Sequence, residues 1–191
     1  MNDVLRVCEL INLPYNLLNK KVVFDMDGVL RPNSHSGEFY PECLELLNVP
    51  QQTKILTNNE KHPNDLRKIL LDNNINIPII NSIMNAKKIV EKYNLIPLVI
   101  SKNVEIINYL SNKLCHNYTD VIMVDNFFCD QTMINRISDI LGSGGTLYVC
   151  DPEKICKPGD TPPADHTPSH RTPGMGIFVS MFEKIYPGCI L

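Results

Sequence analysis

The stretch Val22-Val23-Phe24-Asp25-Met26-Asp27-Gly28-Val29-Leu30 decides the fold class of this chain. Its apolar start runs directly into two aspartates separated by one residue, and a glycine follows. Ligands of open parallel sheets bind beyond the carboxyl ends of the strands, and side chains two apart on an extended backbone point the same way. The stretch therefore predicts a buried strand that presents Asp25 and Asp27 together at a sheet edge. Gly28 lets the backbone turn there and approach an anion.

An isolated Asp-x-Asp has a simpler interpretation, a strand end with two acids facing solvent. The apolar residues on both sides of the pair favour a functional site instead. Outside this stretch, short apolar runs alternate with helix-like segments, which is typical of an α/β fold with parallel strands. Strands are predicted at 21–24, 54–56, 78–80, 97–100, 121–124 and 146–149. Helices are predicted at 41–48, 64–73, 84–94, 103–113, 131–141 and 175–184, with a weak helix at 1–19 and a proline-rich irregular loop at 151–173.

Composition excludes several classes of protein. The chain has 191 residues, of which 43% are hydrophobic and 20% charged, so it is neither disordered nor fibrous. Its 18 lysines and arginines against 21 aspartates and glutamates give a net charge of -3, which provides no basic excess for nucleic acid. The seven cysteines are scattered without a Cys-x-x-Cys pair, which favours reduced thiols over disulfides or zinc. No apolar run approaches the roughly 20 residues that cross a bilayer, and charged residues interrupt any export signal. We therefore expect a cytoplasmic protein with no membrane partner.

Two motifs in this chain resemble those of a known family. The segment from Phe24 to Leu30 matches the first motif of the haloacid dehalogenase (HAD) superfamily, whose most common members are magnesium-dependent phosphatases. Thr57-Asn58-Asn59, after the short apolar run at 54–56, resembles the second motif in the branch of p-nitrophenyl, phosphoglycolate and pyridoxal phosphate phosphatases. Taken alone, Thr57-Asn58-Asn59 is better explained as a helix N-cap. Weaker matches to that branch's cap domain are Val124-Asp125 with Phe127-Phe128, and 172–176. The resemblance covers about residues 20–188.

The resemblance implies a magnesium-dependent phosphatase that forms an aspartyl-phosphate intermediate on a small phosphorylated metabolite. Asp25 would be the nucleophile and Asp27 the general acid and base. Mg²⁺ would bind the Asp25 carboxylate and the Asp27 backbone carbonyl. The Thr57 hydroxyl would bind the transferring phosphoryl group. Backbone N–H groups around Gly28 and around Asn58, near a helix N-terminus, would complete a substrate-binding loop that includes Asn59.

Two further motifs of the family have no counterpart in this chain. One is a lysine, usually in Gly-Lys-Pro, and the other is a late Gly-Asp that completes the metal site. The run Cys156-Lys157-Pro158-Gly159-Asp160 contains similar letters but falls in the proline-rich loop, with no strand on either side. The alternative to an enzyme is therefore a non-catalytic HAD-like remnant that acts as a binding or subunit-interaction protein.

The resemblance also predicts how the chain is organised. Residues 1–80 would form the N-terminal part of an incomplete Rossmann-like HAD core with a parallel sheet. Residues 81–180 would form an inserted α/β cap of the C2 type, and residues 181–191 a truncated return toward the core. Phe127, Phe128 and Met133 are expected to pack inside the cap, and a homodimer through the cap is the other interpretation of these side chains.

Overall fold

The computed structural model describes residues 22–33, 38–47, 53–59, 61–111, 117–124, 130–150 and 175–191. The chain divides into two compact units, with unit 1 comprising Met1–Ser82 and unit 2 comprising Ile83–Leu191. The predicted helix at 1–19, the predicted loop at 151–173 and the pair Phe127-Phe128 lie outside the described residues. The Lys-Pro and Gly-Asp letters at 156–160 lie outside them as well.

Unit 1 contains a three-stranded parallel sheet in the order β1-β2-β3. Phe24, Ile55 and Ile79 occupy neighbouring register positions on one face of the sheet, where all three are buried. Leu66 and Leu70, one helical turn apart, pack into the same core. The elements of unit 1 are β1 (Val22–Phe24), α1 (Pro41–Leu47), β2 (Thr53–Thr57), α2 (Pro63–Asp72) and β3 (Ile79–Asn81).

Unit 2 contains a second three-stranded parallel sheet, in the order β4-β5-β6. Every residue of β4 and β5 is buried, because helices cover both faces of this sheet. Ile190 forms an isolated parallel bridge with Leu147 beside β6, and Leu147 N–H donates to the Cys189 carbonyl at 2.8 Å. Helix α3 begins at the last residue of unit 1. The elements are α3 (Ser82–Tyr93), β4 (Pro97–Ile100), α4 (Val104–Leu110), β5 (Asp120–Met123), α5 (Gln131–Gly142), β6 (Leu147–Val149) and α6 (Met175–Ile185).

The predicted α/β class with parallel strands is confirmed. Each predicted strand exists with small shifts at its ends, and the strand at 97–100 has the predicted bounds. Helix α4 ends at Leu110 instead of 113, because Ser111 has an extended ψ of 110°. Within the described residues, no helix combines the length and hydropathy needed to cross a bilayer. The chain divides after Ser82, and the functional labels of core and cap remain predictions.

Candidate active site

The carboxyl ends of the three strands of unit 1 place polar residues at one edge of the sheet. Asp25 follows β1, Thr57 is the last residue of β2, and Asn81 is the last residue of β3. Because the strands are parallel, these ends lie at the same edge. Asp25 is exposed, Thr57 is buried, and Asn81 is fully buried. We call the set Asp25, Asp27, Thr57, Asn59 and Asn81 the carboxyl-edge cluster.

A tight turn positions the two aspartates. The Asp25 Oδ1 atom accepts a hydrogen bond from the Met26 N–H at 2.7 Å, while the Met26 side chain is fully buried in the core. The Met26 carbonyl accepts from the N–H groups of Leu30 at 3.0 Å and Arg31 at 3.1 Å. Gly28 has a φ of +83°, which disfavours a residue with a side chain. The turn therefore exposes Asp25 and folds residue 31 back toward residue 27.

Both carboxylate oxygens of Asp27 accept a hydrogen bond. The Arg31 Nε atom donates to Oδ1 at 2.6 Å, and the Asn59 Nδ2 atom donates to Oδ2 at 2.7 Å. The Arg31 side chain is fully buried, and the Asp27 side chain is 19% exposed. The bond to Asn59 joins the two motifs identified in the sequence, which lie 32 residues apart along the chain. Donors on both oxygens fix the plane of the carboxylate.

The loop after β2 contains two successive side-chain turns. The Thr57 Oγ1 atom accepts from the Asn59 N–H at 3.1 Å, and the Asn59 Oδ1 atom accepts from the Lys61 N–H at 3.0 Å. Because Asn59 Oδ1 is an acceptor in this contact, its amide nitrogen is the atom that faces Asp27.

The helix after this loop begins later than a Thr57-Asn58-Asn59 cap requires. Helix α2 has a proline in its first turn, and its N-cap is His62, whose Nδ1 accepts from the Asn64 N–H at 3.3 Å. The interpretation of Thr57-Asn58-Asn59 as a plain helix N-cap is therefore wrong. Asn58 is exposed and lies four residues before the cap at His62.

The structure adds Arg31 and Asn81, which the sequence reasoning missed. The Asn81 Nδ2 atom donates to the carbonyls of Asn59 and Lys61, each at 3.0 Å, and so joins the end of β3 to the loop after β2. A polar residue at the end of the apolar run Ile79-Ile80 was the available signal for Asn81. For Arg31 the sequence offered only a weaker signal, namely that a cationic residue lies four positions after Asp27.

The donor set at this edge fits a hard divalent cation in part. Mg²⁺ binds oxygen ligands, commonly one or two carboxylates with waters and a substrate phosphate as the others. Asp25 offers an exposed carboxylate. Asp27 uses both carboxylate oxygens in hydrogen bonds, so its main-chain carbonyl is the group it has to offer. Across the part of the chain that the structure describes, no three His, Cys, Asp or Glu side chains converge.

Comparison with known proteins finds similar structures and no similar sequences. No protein-family model matches this chain, and no curated protein matches it. The match to a p-nitrophenyl phosphatase from Archaeoglobus fulgidus covers 90% of this chain and 68% of the phosphatase, with a TM-score of 0.65 and 15% identity. The match to NagD from E. coli K-12 covers 88% of this chain and 66% of NagD, with a TM-score of 0.62 and 18% identity. A third match is to a glycerol phosphate phosphatase from Mycobacterium tuberculosis in complex with calcium. It covers 86% of this chain and 49% of that phosphatase, with a TM-score of 0.59 and 11% identity.

The chain therefore shares the fold of solved phosphatase structures, among them a p-nitrophenyl phosphatase and a 4-nitrophenylphosphatase. Because the sequence identities are 11–18%, the comparison shows similarity of fold alone. The chain spans between 49% and 69% of the length of these structures, so their activities are a basis for proposals about this chain and not findings about it.

Proposed function

We propose that this chain is a phosphatase that hydrolyses a small phosphomonoester, with Asp25 as the nucleophile. One observation carries the proposal, the 2.7 Å hydrogen bond from Asn59 Nδ2 to Asp27 Oδ2. This bond brings the Asp-x-Asp and Thr-Asn-Asn motifs together at the carboxyl edge of the sheet, where ligands of α/β folds bind. Asp25 is exposed at the same edge and therefore accessible to a substrate. The shared fold with known phosphatases supports the same activity.

The reaction has two halves in which these side chains exchange roles. A carboxylate oxygen of Asp25 forms a bond to phosphorus while the bond from phosphorus to the alcohol oxygen breaks. The alcohol oxygen takes a proton from the Asp27 carboxyl, which becomes a carboxylate. A water then attacks the aspartyl-phosphate and gives its proton back to Asp27. The Asp25 carboxylate and inorganic phosphate are released.

The remaining residues of the site would bind the phosphoryl oxygens. The Thr57 hydroxyl already accepts one hydrogen bond, and a hydroxyl in that state can still donate one. Backbone N–H groups around Gly28 and Asn58 would donate to the same group, although the Gly28 N–H itself donates to the Arg31 carbonyl at 2.7 Å. Asp25 and the Asp27 carbonyl would hold a divalent cation, for which we propose Mg²⁺. A bound Mg²⁺ supplies charge neutralisation for the phosphoryl oxygens and the attacking carboxylate.

A non-catalytic binding role is the second candidate function. The observation that favours it is the donor count, since no third acidic side chain joins Asp25 and Asp27 within the described residues. Removing one preorganised electrostatic donor commonly slows an enzyme by on the order of 10²–10³. A site in which these two acids act alone would then bind phosphorylated ligands at this edge and turn them over slowly.

An assay on p-nitrophenyl phosphate with Mg²⁺ separates the two candidates. Asp25→Asn keeps the size of the side chain but removes the nucleophile, which is expected to lower kcat by on the order of 10⁴ or more. Asp72→Asn is the matched control, because Asp72 is an exposed acid at the end of α2 and away from the strand ends. Turnover that is lost in Asp25→Asn and kept in Asp72→Asn supports the enzyme. Equal turnover in the wild type and Asp25→Asn would indicate a contaminant and reject the proposal.

A further inference from the structure

The Arg31 side chain occupies an unusual position for a cation. Among the fully buried side chains of the described residues, that of Arg31 is the largest, with a relative exposure of 0%. Its Nε atom donates to Asp27 Oδ1 at 2.6 Å. Burial of a guanidinium is costly unless an anion and hydrogen bonds compensate it. A charge retained at that cost next to a proposed catalytic carboxylate suggests a role in the reaction.

The backbone holds Arg31 at this position independently of the side-chain contact. The Met26 carbonyl accepts from the Arg31 N–H at 3.1 Å, and the Arg31 carbonyl accepts from the Gly28 N–H at 2.7 Å. The Tyr40 N–H donates to the Leu30 carbonyl at 2.9 Å, which ties the end of the turn to the chain before α1. Backbone hydrogen bonds therefore fix the main chain of Arg31, and its guanidinium binds the carboxylate of Asp27, four residues earlier in the sequence.

The second oxygen of Asp27 is held by a chain of hydrogen bonds from the neighbouring strands. Asn59 donates its amide to Oδ2, and the Asn59 carbonyl accepts from the Asn81 Nδ2 atom at 3.0 Å. Asn59 is 7% exposed and Asn81 is fully buried. Of the two donors on Asp27, the guanidinium is the charged one and cannot lose its proton, so its bond to Oδ1 is the stronger.

We propose that Arg31 is the positioning residue for Asp27. This inference rests on the proposed function, because it concerns the proton transfers of that reaction. Arg31 holds Oδ1 with the stronger bond, and Asn59 uses one lone pair of Oδ2. The other lone pair of Oδ2 is therefore the position that gives a proton to the leaving alcohol and takes one from the attacking water. Arg31 itself loses no proton, and its side chain is fully buried. Its loss would let the carboxyl rotate and would slow the steps in which Asp27 transfers a proton.

The test compares two substrates that differ in how much they need a proton on the leaving oxygen. Phenyl phosphate releases a basic phenolate that needs a proton, whereas p-nitrophenyl phosphate of similar shape releases a stabilised phenolate. Arg31→Met is expected to lower kcat/KM on phenyl phosphate by on the order of 10² and kcat/KM on p-nitrophenyl phosphate by less than about tenfold. This ratio is the measurement because it reports the steps up to phosphoryl transfer and excludes the later attack of water, which is common to both substrates. Arg31→Lys keeps the charge and is expected to restore part of the loss on phenyl phosphate.

Matched controls make each outcome decisive. Arg67→Met removes an exposed arginine of α2 in the same unit and is expected to match the wild type on both substrates. If Arg31→Met does not fold, Arg31→Lys is tested in its place. It is expected to show the same difference between the two substrates, with smaller losses of activity. Equal losses on both substrates, or no loss, would overturn the positioning role while leaving the phosphatase intact. A folded wild type that hydrolyses neither substrate would overturn the proposed function and this inference with it.

Discussion

The loops after β2 and β4 begin with the same local structure and use it differently. In unit 1, the Thr57 hydroxyl accepts from the Asn59 N–H at 3.1 Å, and the Asn59 side chain accepts from the Lys61 N–H at 3.0 Å. In unit 2, the Ser101 hydroxyl accepts from the Asn103 N–H at 3.1 Å, and the Asn103 side chain accepts from the Glu105 N–H at 2.9 Å. Both loops follow a strand of a three-stranded parallel sheet.

The difference lies in where the next helix begins and what the neighbouring strand supplies. Asn103 is itself the N-cap of α4, so its side chain serves the helix. Helix α2 is capped by His62, and the amide nitrogen of Asn59 bonds to Asp27 after the neighbouring strand β1. The same local turn is therefore structural in unit 2 and part of the candidate site in unit 1. The turn alone does not indicate function, whereas its contact with an acid after a neighbouring strand does.

The first prediction compares the two asparagines directly. Asn59→Ala removes a donor to the proposed general acid and is expected to lower kcat by on the order of 10²–10³. Asn103→Ala removes a helix cap and is expected to cost about 1 kcal/mol of unfolding free energy with kcat unchanged. Steady-state kinetics and urea unfolding of both variants measure this contrast. Similar kcat values for the two variants would remove the distinction between the loops.

The second prediction compares the aspartates of the two units. Asp27→Ala removes the carboxylate opposite a fully buried guanidinium and is expected to cost about 3 kcal/mol. Asp120 in unit 2 accepts from Thr119 Oγ1 at 2.7 Å and the Thr146 N–H at 3.0 Å, so Asp120→Ala is expected to cost about 1–2 kcal/mol. Asp25 is exposed and accepts only from the Met26 N–H among the bonds described above, so Asp25→Ala is expected to cost about 0.5–1 kcal/mol. Urea unfolding would contradict this order if Asp25→Ala were as unstable as Asp27→Ala.

The third prediction concerns one glycine in each unit. A Cβ at Gly145 would overlap the Thr119 carbonyl oxygen and lie 2.9 Å from the Ile140 carbonyl oxygen. Gly145→Ala is therefore expected to cost about 2–3 kcal/mol. A Cβ at Gly28 would meet nothing within 4 Å, and only its φ of +83° opposes the change, so Gly28→Ala is expected to cost about 1 kcal/mol. Thermal unfolding measures both, and a reversed order would contradict the close packing at Gly145.

The fourth and smallest prediction compares a thiol from each unit. Burial, reinforced by the charge of Glu42, raises the pKa of the Cys43 thiol, which also donates to the Val29 carbonyl at 3.7 Å. Burial likewise raises the pKa of Cys189, which is partly exposed.

The raised pKa values fix the direction of the pH dependence for both thiols. Each protonated thiol stabilises the fold below the ordinary thiol pKa, and this contribution is lost as pH rises above that value. Native Cys43 is expected to react with iodoacetamide more slowly than Cys189, by on the order of tenfold, as measured by peptide mass spectrometry. Faster reaction at Cys43 would contradict its burial.

Much of the fold could be predicted because its signals are local. The apolar runs that form β1, β2 and β4 are bounded by polar residues, and Pro63 marks the start of α2. The meeting of Asp27 with the Thr57-Asn58-Asn59 motif required only that two neighbouring strands be parallel.

The remaining parts of the site depend on contacts that a linear pattern does not show. Arg31 is buried because the Met26 carbonyl accepts two N–H groups and turns the chain back. Asn81 reaches Asn59 because of the register between β2 and β3.

The most direct test of the central claim is whether Asp25 accepts a phosphoryl analogue. Beryllium fluoride mimics a phosphoryl group on an aspartate, and its bound state is visible by fluorine NMR of the protein with Mg²⁺. We expect bound fluorine signals with the wild type and with Asp72→Asn, and none with Asp25→Asn. Absence of bound signals from the folded wild type, or identical signals from Asp25→Asn, would contradict phosphoryl transfer at this sheet edge.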